Sequence, residues 1–384
     1  MNASLPDAVE MLAQLVALPS VSSQDPRLDT GNRPVIDRLA TWLDDLGFAC
    51  ELMPIPARPT KFNLIARRGD GDDGLVLSGH TDTVPFDAAG WGSDPFTLTE
   101  REGLLYGLGS ADMKGFFPAA LHALASLDLD RLHRPVILLA TADEESSMSG
   151  AKALVDAGRV LGRHAVIGEP TGLKPIRMHK GVLMVAVRVH GRAGHASNPA
   201  LGNSALDGMY RVMGELMAWR ERLQASHRDP LFQVAFPTLN LGHIHGGDSP
   251  NRICADCELQ LDMRLLPGME IDEALGELRK LAESALSGTG LGVAVDPLFE
   301  GVPPMCTEAG AEVVGVAEAL SGQAAGTVAF ATEGPYLHRL GMETVILGAG
   351  EIERAHQPDE YVPAAQLGRL TEIVAGMIRH FCGK

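Results

Sequence analysis

Two histidines and a set of carboxylates in this 384-residue chain each stand just beyond a short apolar run. Leu75-Val76-Leu77 leads into Ser78-Gly79-His80-Thr81-Asp82, and the run at 136–140 leads into Asp143-Glu144-Glu145. The run at 165–168 precedes Glu169, and 344–347, after a glycine-rich turn, precedes Ala355-His356-Gln357-Pro358-Asp359-Glu360. Asp112 lies in Gly109-Ser110-Ala111-Asp112-Met113-Lys114-Gly115, a loop entering a helix. Taken singly, each has an ordinary explanation: a surface histidine, a solvated acid pair, a helix N-cap, a turn acid before Pro170. Their recurrence in one structural position is what a pair of divalent metals requires. One carboxylate can bridge the metals while the others balance two dications. A ligating imidazole gives one nitrogen to the metal and needs an acceptor for its other N–H. Asp82, two residues after His80, can supply that acceptor.

The elements that must position these residues follow from periodicity. Strands are expected at 63–66, 75–78, 136–140, 165–168 and 344–347, the last four as continuous apolar runs typical of central strands covered on both faces. Helices are expected near the start, with Val9, Leu12, Leu15 and Val16 on one side, and from Arg33, where Pro34 suits the first turn and Gly47 the end. A further helix spans 113–127. In open α/β sheets the loops beyond the carboxyl ends of the strands converge on the binding crevice. From 180 to 297 the pattern changes. Leu183, Val185, Val187 and Val189 alternate, then a helix carries Leu206, Met209, Tyr210, Met213, Leu216 and Met217. Strands near 238–243 and 254–265, a helix through Ile271, Leu275, Leu278 and Leu281, and a strand at 293–295 complete the order βαββαβ of a ferredoxin-like unit. The expected fold is therefore α/β with two domains. A mainly parallel sheet is sandwiched by helices (1–179 and 298–384) and interrupted by an inserted ferredoxin-like domain (180–297).

The composition, 45% apolar and 21% charged, is that of a globular chain. A formal charge of −17 argues against a nucleic-acid or anionic-membrane partner. No apolar run is long enough to cross a bilayer, and the start lacks a basic segment followed by a hydrophobic one. Five cysteines, an odd number in a long chain, suggest reduced thiols and a cytoplasmic location. Cys254 and Cys257 have no second Cys or His pair at finger spacing, and three positions apart in a strand they face opposite sides, so they are expected to be small core residues rather than zinc ligands.

Read together, SGHTDTVP, YGLGSADMKG, TADEESSMSGA, IGEPT, VHGRAGHAS and AHQPDE occur in an order that resembles the M20 metallopeptidases and deacylases, from Gly79 to Glu360. The resemblance implies two divalent metal ions, zinc foremost with cobalt as an alternative. His80 would bind one metal with Asp82 orienting its ring, and Glu169 would complete that site. Asp112 would bridge, Glu145 and His356 would bind the second metal, and Glu144 would be the general base. His195, in Gly191-Arg192-Ala193-Gly194-His195-Ala196-Ser197, would donate to the oxyanion across a homodimer formed by the inserted domain. The segments 241–254 and 355–361 look like those of the branch that deacetylates N2-acetylornithine. A small N-acyl amino acid is thus the implied partner, with Asn251 and Arg252 at its α-carboxylate and Glu333 facing its ammonium. Aminoacylase, desuccinylase or carboxypeptidase activity shares the same metal chemistry. An inactive binding protein of this fold is disfavoured, since no catalytic position is lost. Asn198, where an acid is frequent, and Gly334, where alanine is, depart from the pattern.

Overall fold

The computed structural model describes residues 5–56 and 58–383; residues 1–4, 57 and 384, which the expected bounds 1–179 and 298–384 take in, lie outside them. The chain packs as two compact units, each described by itself. The first comprises Met1–Arg177, Thr307–Gly326 and Thr332–Lys384, the second Met178–Cys306 and Thr327–Ala331.

At the centre of the first unit the strands Val136–Thr141, Leu75–His80, His164–Ile167 and Glu343–Ile346 lie side by side and parallel. Arg58–Arg68 and then Ala49–Ile55 extend this sheet antiparallel beyond Val136–Thr141. Both faces of the centre are buried. Leu75, Leu77, Val136, Leu138 and Ala140 turn into a core shared with the helices Ala8–Val16, Arg33–Asp45, Phe116–Ala125, Glu312–Ser321 and Ala364–Cys382. The alternate residues Val76, Ile137 and Leu139 are equally shielded on the other face. This double burial is why the strands read as unbroken apolar runs. Parallel register brings the carboxyl ends together, with His80 opposite Thr141 and Ser78 opposite Ile167. Gly168 sits at one of these ends because a Cβ there would lie 2.1 Å from the Phe116 ring.

The helix expected from residue 113 begins at Phe116. Ser110–Lys114 forms one distorted turn instead. Asp112 (φ −118°, ψ 91°) and Met113 (φ −135°, ψ 34°) leave helical geometry, and the peptide between them is cis.

The second unit has the order Gly181–His190, Ala205–Ser226, Thr238–Gly246, Asp256–Leu265, Ile271–Ala285 and Gly292–Pro297. Its antiparallel sheet runs Thr238–Gly246, Asp256–Leu265, Gly181–His190, Gly292–Pro297, the strand order of a ferredoxin-like βαββαβ unit. The unit continues past 297 to Cys306, because Val182 and Val302 exchange backbone hydrogen bonds of 2.8 and 2.9 Å and Met305 pairs with His179. Cys254 and Cys257 both enter this core: Cys254 precedes the strand, which starts at Asp256, so strand alternation does not separate them.

Candidate metal centre

Four strand ends and the distorted turn deliver the predicted carboxylates and histidines of the first unit to one place. Asp112 lies between the two rings, with Oδ1 2.9 Å from His80 Nε2 and Oδ2 3.3 Å from His356 Nε2. Glu169 Oε1 is 3.7 Å from His80 Nε2, and Glu145 Oε1 is 3.0 Å from His356 Nε2. Ligand atoms of His80, Asp112 and Glu145 fall within 4.8 Å of one another, as do those of His80, Glu144 and Glu169. Glu144 is therefore near enough to act as a ligand, and geometry alone does not distinguish it from its neighbours.

His80 Nδ1 points at the backbone carbonyl of Asp82, 3.0 Å away, while the Asp82 carboxylate stands off at 3.8 Å. The acceptor is thus the main chain of Asp82 rather than the side chain expected from the sequence. Either acceptor fixes the proton on Nδ1 and turns Nε2 towards Asp112. Asp82 Oδ2 accepts from the Glu145 backbone N–H at 3.1 Å, tying the two ligand loops together. Its Oδ1 is buried without a hydrogen-bond partner.

Electrostatics show what this donor set lacks. Burial pushes the Glu144 and Glu169 carboxyls well above the usual range, and neighbouring carboxylates, Asp112 and Glu145 among them, add to the rise. Burial and Asp112 raise Glu145 in the same way. Burial alone would lower His80, but its bond to Asp112 and the charge of Glu169 hold it well above the ordinary value. Hydrogen bonds to Asp112 and Glu145 push His356 up to about 11. Burial opposes ionisation of Asp112 too, yet the two histidines hold it low. Enclosed carboxylates at this density require positive charge. Protons on the imidazoles supply it poorly, because they occupy the nitrogens that would otherwise donate. Two dications would supply it and leave those lone pairs in use, so the residues fit a two-metal centre.

Within the second unit, His195 pairs with Arg252 across a two-residue ladder. His195 Nδ1 lies 2.7 Å from Ser197 Oγ and accepts from the Ser197 backbone N–H at 3.2 Å. His195, Asn251 and Arg252 line an open depression of about 380 Å³ with Ala193 and Gly194. Arg252 Nη1 is 2.6 Å from Asp248 Oδ2, both side chains being exposed, and Asn251 Oδ1 accepts from Ser249 Oγ at 2.7 Å. The departure at Asn198 is accommodated by a local role: its Oδ1 accepts from Ala200 N–H.

Glu333 must be corrected. It is 1% exposed, and its two oxygens accept from the hydroxyls of Ser78 and Thr141, the latter at 2.8 Å. A carboxylate engaged in this way beneath the sheet ends does not face a ligand ammonium.

A model of the peptidase family M20/M25/M40 matches residues 76–380. The chain belongs to this family. It is 43% identical over 382 residues to an acetylornithine deacetylase of Photorhabdus laumondii, covering 100% of this chain and 99% of that one. A Proteus mirabilis acetylornithine deacetylase is 44% identical over 385 residues, covering 100% and 98%. An M20 metallo-carboxypeptidase of Sulfolobus solfataricus shares the fold, with a TM-score of 0.78 at 18% identity over 98% of this chain and 99% of that one.

In this M20 chain a further group of residues, given no role from sequence, braces the acidic loop. Asp143 is fully buried in a left-handed conformation (φ 56°) next to Glu144. Lys61 Nζ lies 2.8 Å from its Oδ1, Ser22 donates to the same oxygen at 3.0 Å, and Ser149 donates to Oδ2 at 3.1 Å. Lys61, itself 1% exposed, also meets Asp29 at 2.9 Å. The only sequence signal was an acid preceding the glutamate pair, and nothing local marks Lys61 as its partner.

Proposed function

We propose that this protein hydrolyses N2-acetyl-L-ornithine to ornithine and acetate, a step of arginine biosynthesis, as a two-metal amidohydrolase. The observation that carries the reading is full-length similarity to acetylornithine deacetylases in a chain whose Asp112 carboxylate lies between His80 and His356. In this reading His80, Asp112 and Glu169 hold one ion, and Asp112, Glu145 and His356 the other. The ions, zinc by preference with cobalt as an alternative, would supply Lewis acidity to the amide carbonyl and would lower the pKa of the attacking water. Glu144 takes the proton of that water and returns it to the departing amine nitrogen. His195, reaching across the homodimer, would donate a ring N–H to the oxyanion. Arg252 and Asn251 receive the α-carboxylate, for which a guanidinium offers two parallel donors. Glu333 has no substrate role.

The second unit is assigned to homodimer formation. On its helix Ala205–Ser226, Leu206, Tyr210 and Met217 are exposed, Tyr210 by 81%. Its strand Thr238–Gly246 is a sheet edge carrying exposed Ile244. A free edge beside an apolar helix face invites a second copy. A cytoplasmic location is part of the same reading. Among the described residues the five cysteines form no disulfide, and no helix is long and apolar enough to cross a membrane.

The test is a metal-loaded preparation assayed against acetylornithine, succinyl-diaminopimelate, acetylcitrulline and neutral acetyl amino acids. Acetylornithine should give the highest kcat/KM. A higher value on the succinyl substrate or on acetylmethionine would overturn the substrate assignment while leaving the reaction class standing.

A further inference from the structure

Glu360 is 2% exposed, and its carboxylate faces three backbone N–H groups of the loop that carries Asp112. Oε2 accepts from Gly109 at 2.9 Å, and Oε1 accepts from Ala111 at 2.9 Å and from Asp112 itself at 3.0 Å. The loop is therefore held at the amide of the residue whose side chain reaches both histidines. Glu360 is in turn fixed by its own backbone. Its carbonyl accepts from Gly107 N–H at 3.0 Å, and Tyr361–Pro363 pairs with Leu104–Tyr106. One residue earlier, Asp359 Oδ1 accepts from Gly92 N–H at 2.8 Å. His356 belongs to the same short segment. One stretch of chain thus supplies a ring at one end of the Asp112 carboxylate and an anchor at the Asp112 amide.

We propose that Glu360 is a positioning residue that sets the Asp112 carboxylate between the two histidines, acting through the Asp112 backbone and touching neither substrate nor metal. The inference rests on the two-metal reading above. Its physical basis is acceptor count: a carboxylate accepts on both oxygens, and all three donors here are main-chain N–H groups. Glutamine at this position has one accepting oxygen and one NH₂ group. It can satisfy either Gly109 or the Ala111–Asp112 pair, and it sets donor against donor at the other. The loop has little room to re-seat. Gly109 is left-handed (φ 76°), and a Cβ there would lie 2.7 Å from Thr83 Cγ2. Misplacing Asp112 changes the metals' geometry before it changes anything the substrate touches.

The test compares the full-length chain with Glu360→Gln, Glu360→Asp and Leu43→Ala, a buried core variant remote in sequence from the site loops. Each is stripped of metal and titrated with Co(II), with calorimetry for affinity, the visible spectrum for coordination, and kcat and KM on acetylornithine. Glu360→Gln should bind cobalt about 10- to 100-fold more weakly, the loss typical of a partner that orients a ligand. Its visible band should change, and kcat should fall with KM near the parent value. Glu360→Asp, one methylene shorter but still a two-oxygen acceptor, should recover part of the affinity. It also carries the comparison if the glutamine variant does not fold. Leu43→Ala should lose thermal stability with an unchanged cobalt spectrum. Parental affinity and spectrum in Glu360→Gln, or an equal spectral change in Leu43→Ala, would overturn the inference. A parent chain that binds two cobalt ions without deacetylating acetylornithine would overturn the functional reading alone. One that binds no cobalt would overturn both.

Discussion

His80 and His356 both reach Asp112, yet their surroundings differ. His80 ends a central parallel strand and is 1% exposed, with its Nδ1 fixed on the Asp82 carbonyl and the carboxylates of Asp112 and Glu169 before its Nε2. His356 follows a three-residue helical turn, Ile352–Arg354, in left-handed backbone (φ 58°) and is 50% exposed, with Asp112 and Glu145 facing its ring. One end of the centre is built into the sheet, and the other rests on loops. In an enclosed position a metal cannot exchange its ligands for water one at a time, whereas an open one permits it. Under the two-metal reading, the comparison predicts two metal positions of unequal lability.

Glu144 gives the largest expected effect and the sharpest challenge. It belongs to the enclosed end, within ligand distance of His80 and Glu169, yet it is assigned as the base. Glu144→Ala should retain both ions, measured by elemental analysis after gel filtration, and lose about 10²- to 10⁴-fold in kcat. Loss of an ion, with residual activity restored by excess metal, would make Glu144 a further ligand of the His80 end. Full turnover would remove it from the mechanism.

The two histidines test the comparison directly. His356→Ala should keep one tightly held ion and weaken the other by about 10- to 100-fold or more, while His80→Ala should compromise both, since Asp112 then loses its fixed partner. In the unsubstituted chain a chelator should remove the ions in two resolved phases, and the fast phase should be the one absent from His356→Ala. A single phase, or a fast phase surviving in His356→Ala, would show that exposure does not set lability here.

The same contrast explains what could be read from sequence. The enclosed end was legible because its strands, buried on both faces, appear as unbroken apolar runs whose ends can be counted. The expected strands 75–78, 136–140 and 165–168 fall within or against observed strands. The clustering of the candidate ligands was legible because His and carboxylates recur at those ends. Contacts between distant segments were not. Glu333 meets Ser78 and Thr141 across 255 and 192 residues, and Glu360 meets the Asp112 loop across about 250, so no local pattern announces either. The acceptor for His80 was not legible for another reason: carbonyl and carboxylate belong to the same residue, Asp82, and its side-chain rotation decides which one lies nearer the ring. The turn at Ser110–Lys114 was legible as a loop, but the helix start slipped to Phe116 because helix propensity does not register the non-helical dihedrals of Asp112 and Met113.

Glu333 provides the smallest expected effect and tests how far the enclosed end extends below its ligands. Ser78 and Thr141 lie in the strands Leu75–His80 and Val136–Thr141, and both hydroxyls donate to Glu333, whose carboxyl burial has raised. The carboxylate therefore braces two strand ends from beneath instead of reading the substrate. Glu333→Gln keeps the size and one accepting oxygen but turns an NH₂ towards one hydroxyl, which can rotate to accept from it. The expected cost is ~1 kcal/mol or less by denaturant titration, against ~1–3 kcal/mol for Glu333→Leu, which leaves the Ser78 hydroxyl buried without its acceptor and the Thr141 hydroxyl with the longer 3.4 Å contact to the Gly79 carbonyl. Activity on acetylornithine and on acetylmethionine should fall by the same factor in both variants, because neither touches the ammonium. A selective loss on acetylornithine would return Glu333 to the substrate pocket and show that the enclosed end reaches further into recognition than its hydrogen bonds imply.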